Sequence, residues 1–122
     1  MKRIEEFTMN GKNFMCIDFS EYRTDDDFLK LIAVIEPLIE KYPKDSLYTI
    51  TNTEKIRFNA RIKDIVVKFL EHNKPYVKHG VVFGFDGIKK VMINTVLKMS
   101  GRSNIHFSFS KEKAVEWLLA QD

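Results

Sequence analysis

The hydrophobic and polar positions switch period several times along the chain, and the switches mark its elements. Residues 3–8 and 13–19 read as two strands joined across Met9-Asn10-Gly11-Lys12. Asn-Gly favours positive φ at both central turn positions, so the pair predicts a tight hairpin. The second run, Phe14-Met15-Cys16-Ile17-Asp18-Phe19, is apolar toward both faces except at Asp18. That pattern fits an interior strand covered on both sides. From Asp25 to Tyr42 the period becomes helical, with Phe28, Leu31, Ile32, Ile35, Leu38, Ile39 and Tyr42 on one stripe. Thr24 or Asp25 supplies the cap, and Asp26 and Asp27 suit the positive helix start. Pro37 lacks an amide donor and crowds the preceding turn, so a kink or split is expected near residues 34–36.

Leu47-Tyr48-Thr49-Ile50-Thr51 predicts a third strand, followed by a helix over residues 57–72 with Phe58, Ile62, Ile65, Val66 and Phe69 in register. Asn73-Lys74-Pro75 stops it. Residues 77–85 predict a fourth strand with Val81-Val82-Phe83 as its buried centre. Asp86 then caps a third helix whose inner stripe is expected to be Ile88, Val91, Met92, Thr95, Val96 and Met99, closed by Gly101. Ile105, Phe107 and Phe109 alternate as a fifth strand. Ser110 caps a last helix that turns Ala114, Trp117 and Leu118 inward. The order β-β-α-β-α-β-α-β-α predicts one α/β domain over residues 1–122. Its five-stranded sheet is mainly parallel, with the first strand antiparallel to the second and helices packed on the sheet.

Composition adds bounds rather than a function. The chain has 122 residues, 44% hydrophobic and 30% charged, an ordinary globular mix. Its 20 basic and 17 acidic residues leave a net charge of +3, too balanced to argue for nucleic acid. The basic residues Arg57, Arg61, Lys63, Lys68, Lys74 and Lys78 alternate with Asp64 and Glu71 and read as a solvated face. Cys16 is the single cysteine, so no internal disulfide forms, and its apolar setting predicts an inert thiol. Without a signal core or an apolar run of roughly 18 residues, the expected location is the cytoplasm, with no membrane span.

The stretches Ser46-Leu47-Tyr48-Thr49-Ile50-Thr51-Asn52, His72-Asn73-Lys74-Pro75-Tyr76-Val77-Lys78-His79-Gly80, Asp86-Gly87-Ile88-Lys89-Lys90 and Lys111-Glu112-Lys113-Ala114 stand out. Set in a hairpin followed by four β-α units, they resemble the STAS-like, or SpoIIAA-like, bacterial proteins of the STAS/SEC14 type. The resemblance implies a non-enzymatic regulatory domain that works by protein-protein interaction. Its alternative implication is a SEC14-like carrier of a small molecule or lipid, although a chain this short has no extra helices to form a lid. Phosphorylatable STAS domains carry an Asp-Ser-Ser-Gly-like stretch where the third strand meets the second helix. This chain reads Phe58-Asn59-Ala60-Arg61-Ile62 there, without a hydroxyl, so the phosphoserine switch is not carried over. Thr51 and Thr53 lie a little upstream.

Candidate chemistry is sparse. His72, His79 and His106 have no ligand-like spacing, so they read as unrelated surface or helix-end residues and no metal is expected. Gly80, Gly84 and Gly87 fall short of a dinucleotide fingerprint, and no Gly-x-Ser-x-Gly turn follows a strand, so no cofactor is expected. The remaining candidate is the edge formed by the strands' carboxyl ends, where ligands of parallel sheets gather. It would bring together Thr51, Thr53, Arg57, Asp86, Gly87, Ile88, Lys89 and Ser110, with Asp18, Ser20, Glu21, Arg23, Lys55 and Lys111 around them. The ligand would be a small anionic or apolar molecule, and a small anion or an acidic partner group would bind near the amides of Gly87 and Ile88, with Arg57 and Lys89 beside it. Asp86, as the cap, would compete for those donors. An enzyme using Asp18 and Asp86 is a further alternative. The same residue types also make ordinary caps and solvated loops.

Overall fold

The computed structural model describes residues 3–22 and 24–122. The elements run β1 (Ile4–Met9), β2 (Lys12–Asp18), α1 (Asp25–Ile39), β3 (Leu47–Asn52), α2 (Ala60–Asn73), β4 (Val77–Phe83), α3 (Gly87–Met99), β5 (Ile105–Phe107) and α4 (Lys111–Leu119). The strands form one mixed sheet in the order β1-β2-β3-β4-β5. β1 pairs antiparallel with β2, and β2 through β5 are parallel. Asn10 and Gly11 take the positive φ values that the turn demands, 52° and 74°. Met9 and Lys12 close the hairpin opposite each other.

Alternation along the strands sends side chains to two cores. Met15, Ile17, Leu47 and Val77 meet Phe28, Ile32, Ile35 and Ile39 of α1 and Ile62 and Phe69 of α2. Phe14, Tyr48, Ile50 and Val81 face the other way, against Ala114 and Leu118 of α4. α3 packs beside α2. Three helices therefore cover one face of the sheet and α4 alone covers the other. Lys12 joins the first hairpin to α4, its Nζ donating to the carbonyl of Leu119 at 2.9 Å and to that of Gln121.

Several boundaries and faces differ from expectation. α1 runs unsplit through Pro37, which falls in its last turn, and it ends at Ile39 before Tyr42. α2 begins three residues later than expected, because Asn59 caps it by accepting from the Ile62 amide at 2.8 Å. β4 is interior as expected but stops at Phe83, where Gly84 turns the chain with φ 84°. Of its expected buried centre only Val81 is fully buried. β5 is three residues long, and Phe109 lies beyond it, 99% exposed. The inner face of α3 is Ile93, Val96 and Leu97; Ile88, Val91 and Met99 face solvent at 77%, 67% and 52% exposure. α3 carries apolar residues on both faces, and a short β5 leaves it little sheet to cover.

Candidate functional site

Because the strand order is sequential, the parallel part of the sheet has no point where it reverses. A crevice at the strands' carboxyl ends normally arises at such a reversal. The expected site residues accordingly divide among separate places. Asp86 is the cap of α3, its Oδ1 accepting from the Lys89 amide at 2.9 Å. Its carboxylate thus already occupies the position an anion would take. Gly87 is open to solvent, with no atom near the position of an added Cβ, and Ile88 projects outward. Ser110 caps α4 on the opposite face, accepting from the Lys113 amide at 3.2 Å. The Arg57 carbonyl accepts from the Tyr22 hydroxyl at 2.6 Å, and its guanidinium lies over the Tyr22 ring at 5.5 Å.

The surrounding charges are held in local pairs. Arg3 Nη1 donates to the carbonyls of Asp18 at 3.1 Å and Ser20 at 2.6 Å. Asp18 in turn accepts from the Ser20 amide at 2.8 Å. Lys55 pairs with Glu21 at 3.0 Å, and Lys111 with Glu5 at 3.4 Å. Arg23 lies outside the described residues. Cys16 is half-buried near Lys111 and Glu5, and burial pushes its thiol pKa up, against nucleophilic use. The histidines are less scattered than expected. His106 stacks on Trp117 at 4.1 Å, and His79 meets the same indole edge-on at 5.9 Å. Among the described residues no group of three potential metal ligands converges, and no helix is long and apolar enough to cross a membrane.

Thr51 and Thr53 lead to a different feature. Both line an interior slot of about 70 Å³ between the sheet and helices α2 and α3. Thr53 is buried, and its hydroxyl donates to the Phe83 carbonyl at 2.9 Å. The walls are mostly apolar, including Ile17, Phe69, Val77, Leu97 and Ile105. Gly80 helps keep the slot open, because a Cβ there would lie 2.7 Å from both Ile105 Cδ1 and Thr49 Oγ1.

At the amino-terminal end of the strands the wall contains Arg102, which is only 7% exposed. Its Nε donates to Asn104 Oδ1 at 3.1 Å and its Nη1 to the Leu70 carbonyl at 3.1 Å. Nη2 is buried without a hydrogen-bond partner among the described residues. Burial alone lowers the guanidinium pKa, to about 10, and the group remains charged at neutral pH. Asn104 is itself fixed, donating to the carbonyls of Val77 at 2.8 Å and Lys78 at 3.0 Å. Sequence reasoning missed Arg102 because it sits in Gly101-Arg102-Ser103-Asn104, a polar stretch that reads as a solvated connection. No period or motif marks an arginine that turns inward.

The exposed stripe of α3 departs from the expected core face. Ile88, Val91, Thr95 and Met99 instead form an outer face, beside a shallow groove against α2 lined by Phe58, Ala60, Lys63 and Met92. No family model, curated protein or solved structure matches the chain.

Proposed function

We propose that this chain is a non-enzymatic, STAS-like binding domain that engages a protein partner through the outer face of α3. The observation that carries the reading is the apolar stripe Ile88, Val91 and Met99, left in water by a helix with a separate inner face. Clustered exposed apolar residues on a folded domain mark interaction surfaces, and single scattered ones do not. The hairpin followed by four β-α units supports the STAS-like, SpoIIAA-like part of the reading.

The partner has a definable chemistry. α3 contains Lys89, Lys90 and Lys98 and no acidic residue. The complementary surface is a protein face with an apolar centre and acidic residues at its rim. A photo-crosslinking residue in place of Val91, expressed in the native cells, tests this. The control is the same residue in place of Lys68, exposed on α2. The expected result is a discrete heteromeric adduct from position 91 only, abolished when Ile88→Glu and Met99→Glu add repelling charge. Identical adducts from both positions, none from position 91, or an adduct of two copies of this chain would overturn the proposal.

A further inference from the structure

We infer that the slot beneath α2 and α3 is a binding site for a short apolar carboxylate, with Arg102 as the residue that receives its anionic end. The inference concerns the interior of the domain and does not depend on a partner at the outer face of α3. It rests on two independent observations, the slot itself and the incomplete bonding of the one cation on its wall.

Arg102 offers five N–H donors in a fixed planar fork. Two directions are taken, by Asn104 and by the Leu70 carbonyl, and these hold the guanidinium in place. Nη2 is left without an acceptor in a position water hardly reaches. Buried polar atoms nearly always have partners, and exceptions call for an explanation. No described acidic side chain forms an ion pair with Arg102. An anionic acceptor from outside the chain would complete its bonding. A carboxylate suits a guanidinium better than a neutral oxygen does, because the bond is charge-assisted.

The rest of the ligand follows from the walls. Val77, Ile93, Leu97 and Ile105 require an apolar body, while the hydroxyls of Thr49 and Thr51 leave room for at most a few polar atoms. A volume of about 70 Å³ corresponds to about five water-sized spheres. That admits a short unbranched chain and excludes a ring, which needs about 150 Å³, and a diacyl lipid. Phe58 lines both the slot and the outer groove between α2 and α3, and it marks the way in.

Sodium hexanoate, with 1-hexanol as its uncharged counterpart, tests the site by amide chemical shifts in the intact chain. Hexanoate is expected to move the amides of Thr49, Gly80, Val82 and Leu97 in a saturable way. Its affinity should exceed that of hexanol by about tenfold or more. Arg102→Met should remove that preference. Gly80→Ala, which presses a methyl group against the slot-lining Ile105 and Thr49, should weaken both ligands and provides a second test should the Arg102 variant not fold. Absence of saturable shifts at about 10 mM hexanoate would overturn the inference. So would equal affinity for the two ligands, undiminished hexanoate preference in Arg102→Met, or unchanged binding of both in Gly80→Ala.

Discussion

The most informative perturbation of stability is a pair of substitutions at Arg102. Burial lowers its pKa to about 10. At 1.36 kcal/mol per unit, the folded state bears about 3 kcal/mol for holding that charge away from water. For a base with a depressed folded pKa, the penalty is fully present below pH 10 or so and fades as pH rises toward the unfolded value. Two hydrogen bonds from the charged group oppose it, each contributing about 1.5–3 kcal/mol. Arg102→Met removes both terms. Leu70 keeps its bond from the Lys74 amide at 3.1 Å, so only Asn104 Oδ1 loses an acceptor role. The Met variant should therefore lie between about equal to the parent and about 3 kcal/mol below it. Arg102→Lys keeps the charge, hydrates more strongly and cannot span both acceptors, so it should be the least stable of the three. Urea unfolding at neutral pH, with linear extrapolation and equal m-values, ranks them. A Lys variant as stable as the parent, or more stable than the Met variant, would show that the charge is not desolvated and would refute the reasoning.

Two further perturbations probe the rest of the fold. His72 is drawn down by burial, but its hydrogen bonds to Asn73 and Glu40, each at 2.8 Å, and the nearby Glu36 charge outweigh this and raise its pKa above 6.5. The tie between α1 and α2 is thus fully present below that value and is lost as pH rises through the folded pKa. Its partial exposure limits the effect to about 0.5–1 kcal/mol, and unfolding midpoints compared at about pH 5 and 8 should shift in the parent and much less in His72→Gln. Phe14→Ala deletes a fully buried ring stacked on Phe7 at 5.0 Å and beside Tyr48 at 5.6 Å. It should cost about 3–5 kcal/mol in chemical unfolding, and a loss below about 1 kcal/mol would deny that the α4 side is a true core.

Nine elements were legible in their correct order because each carries a strong local signal. Asn10-Gly11 marked the hairpin, and Asp86 and Ser110 each lie in place as caps. What failed depended on neighbours. Periodicity shows that α3 has apolar stripes but not which one meets the sheet, and Val96 belongs to both. Phe109 continued the alternation of Ile105 and Phe107, yet pairing with β4 ends at Phe107 because Gly84 has already turned the chain. The candidate edge was drawn from a rule about where sheets reverse, and strand order is a nonlocal property that no segment carries. Thr51 and Thr53, expected at the edge, line the slot whose far end holds the unmarked Arg102.

The sequential strand order also bears on how the chain acquires its fold. Each strand after the first hairpin pairs with the one made just before it, so no growing edge waits for a distant segment. Each parallel pairing still closes a whole helical crossover and forms more slowly than the hairpin, but none joins the two ends of the chain. As the chain leaves the ribosome, β2, α1 and β3 can assemble before β5 exists. α4 is the exception. It crosses to the bare face and is bound there by Lys12, more than a hundred residues earlier in the chain. Until it docks, Phe14, Ile50 and Val81 face water. During synthesis this face, rather than any sheet edge, is the surface most exposed to misassociation.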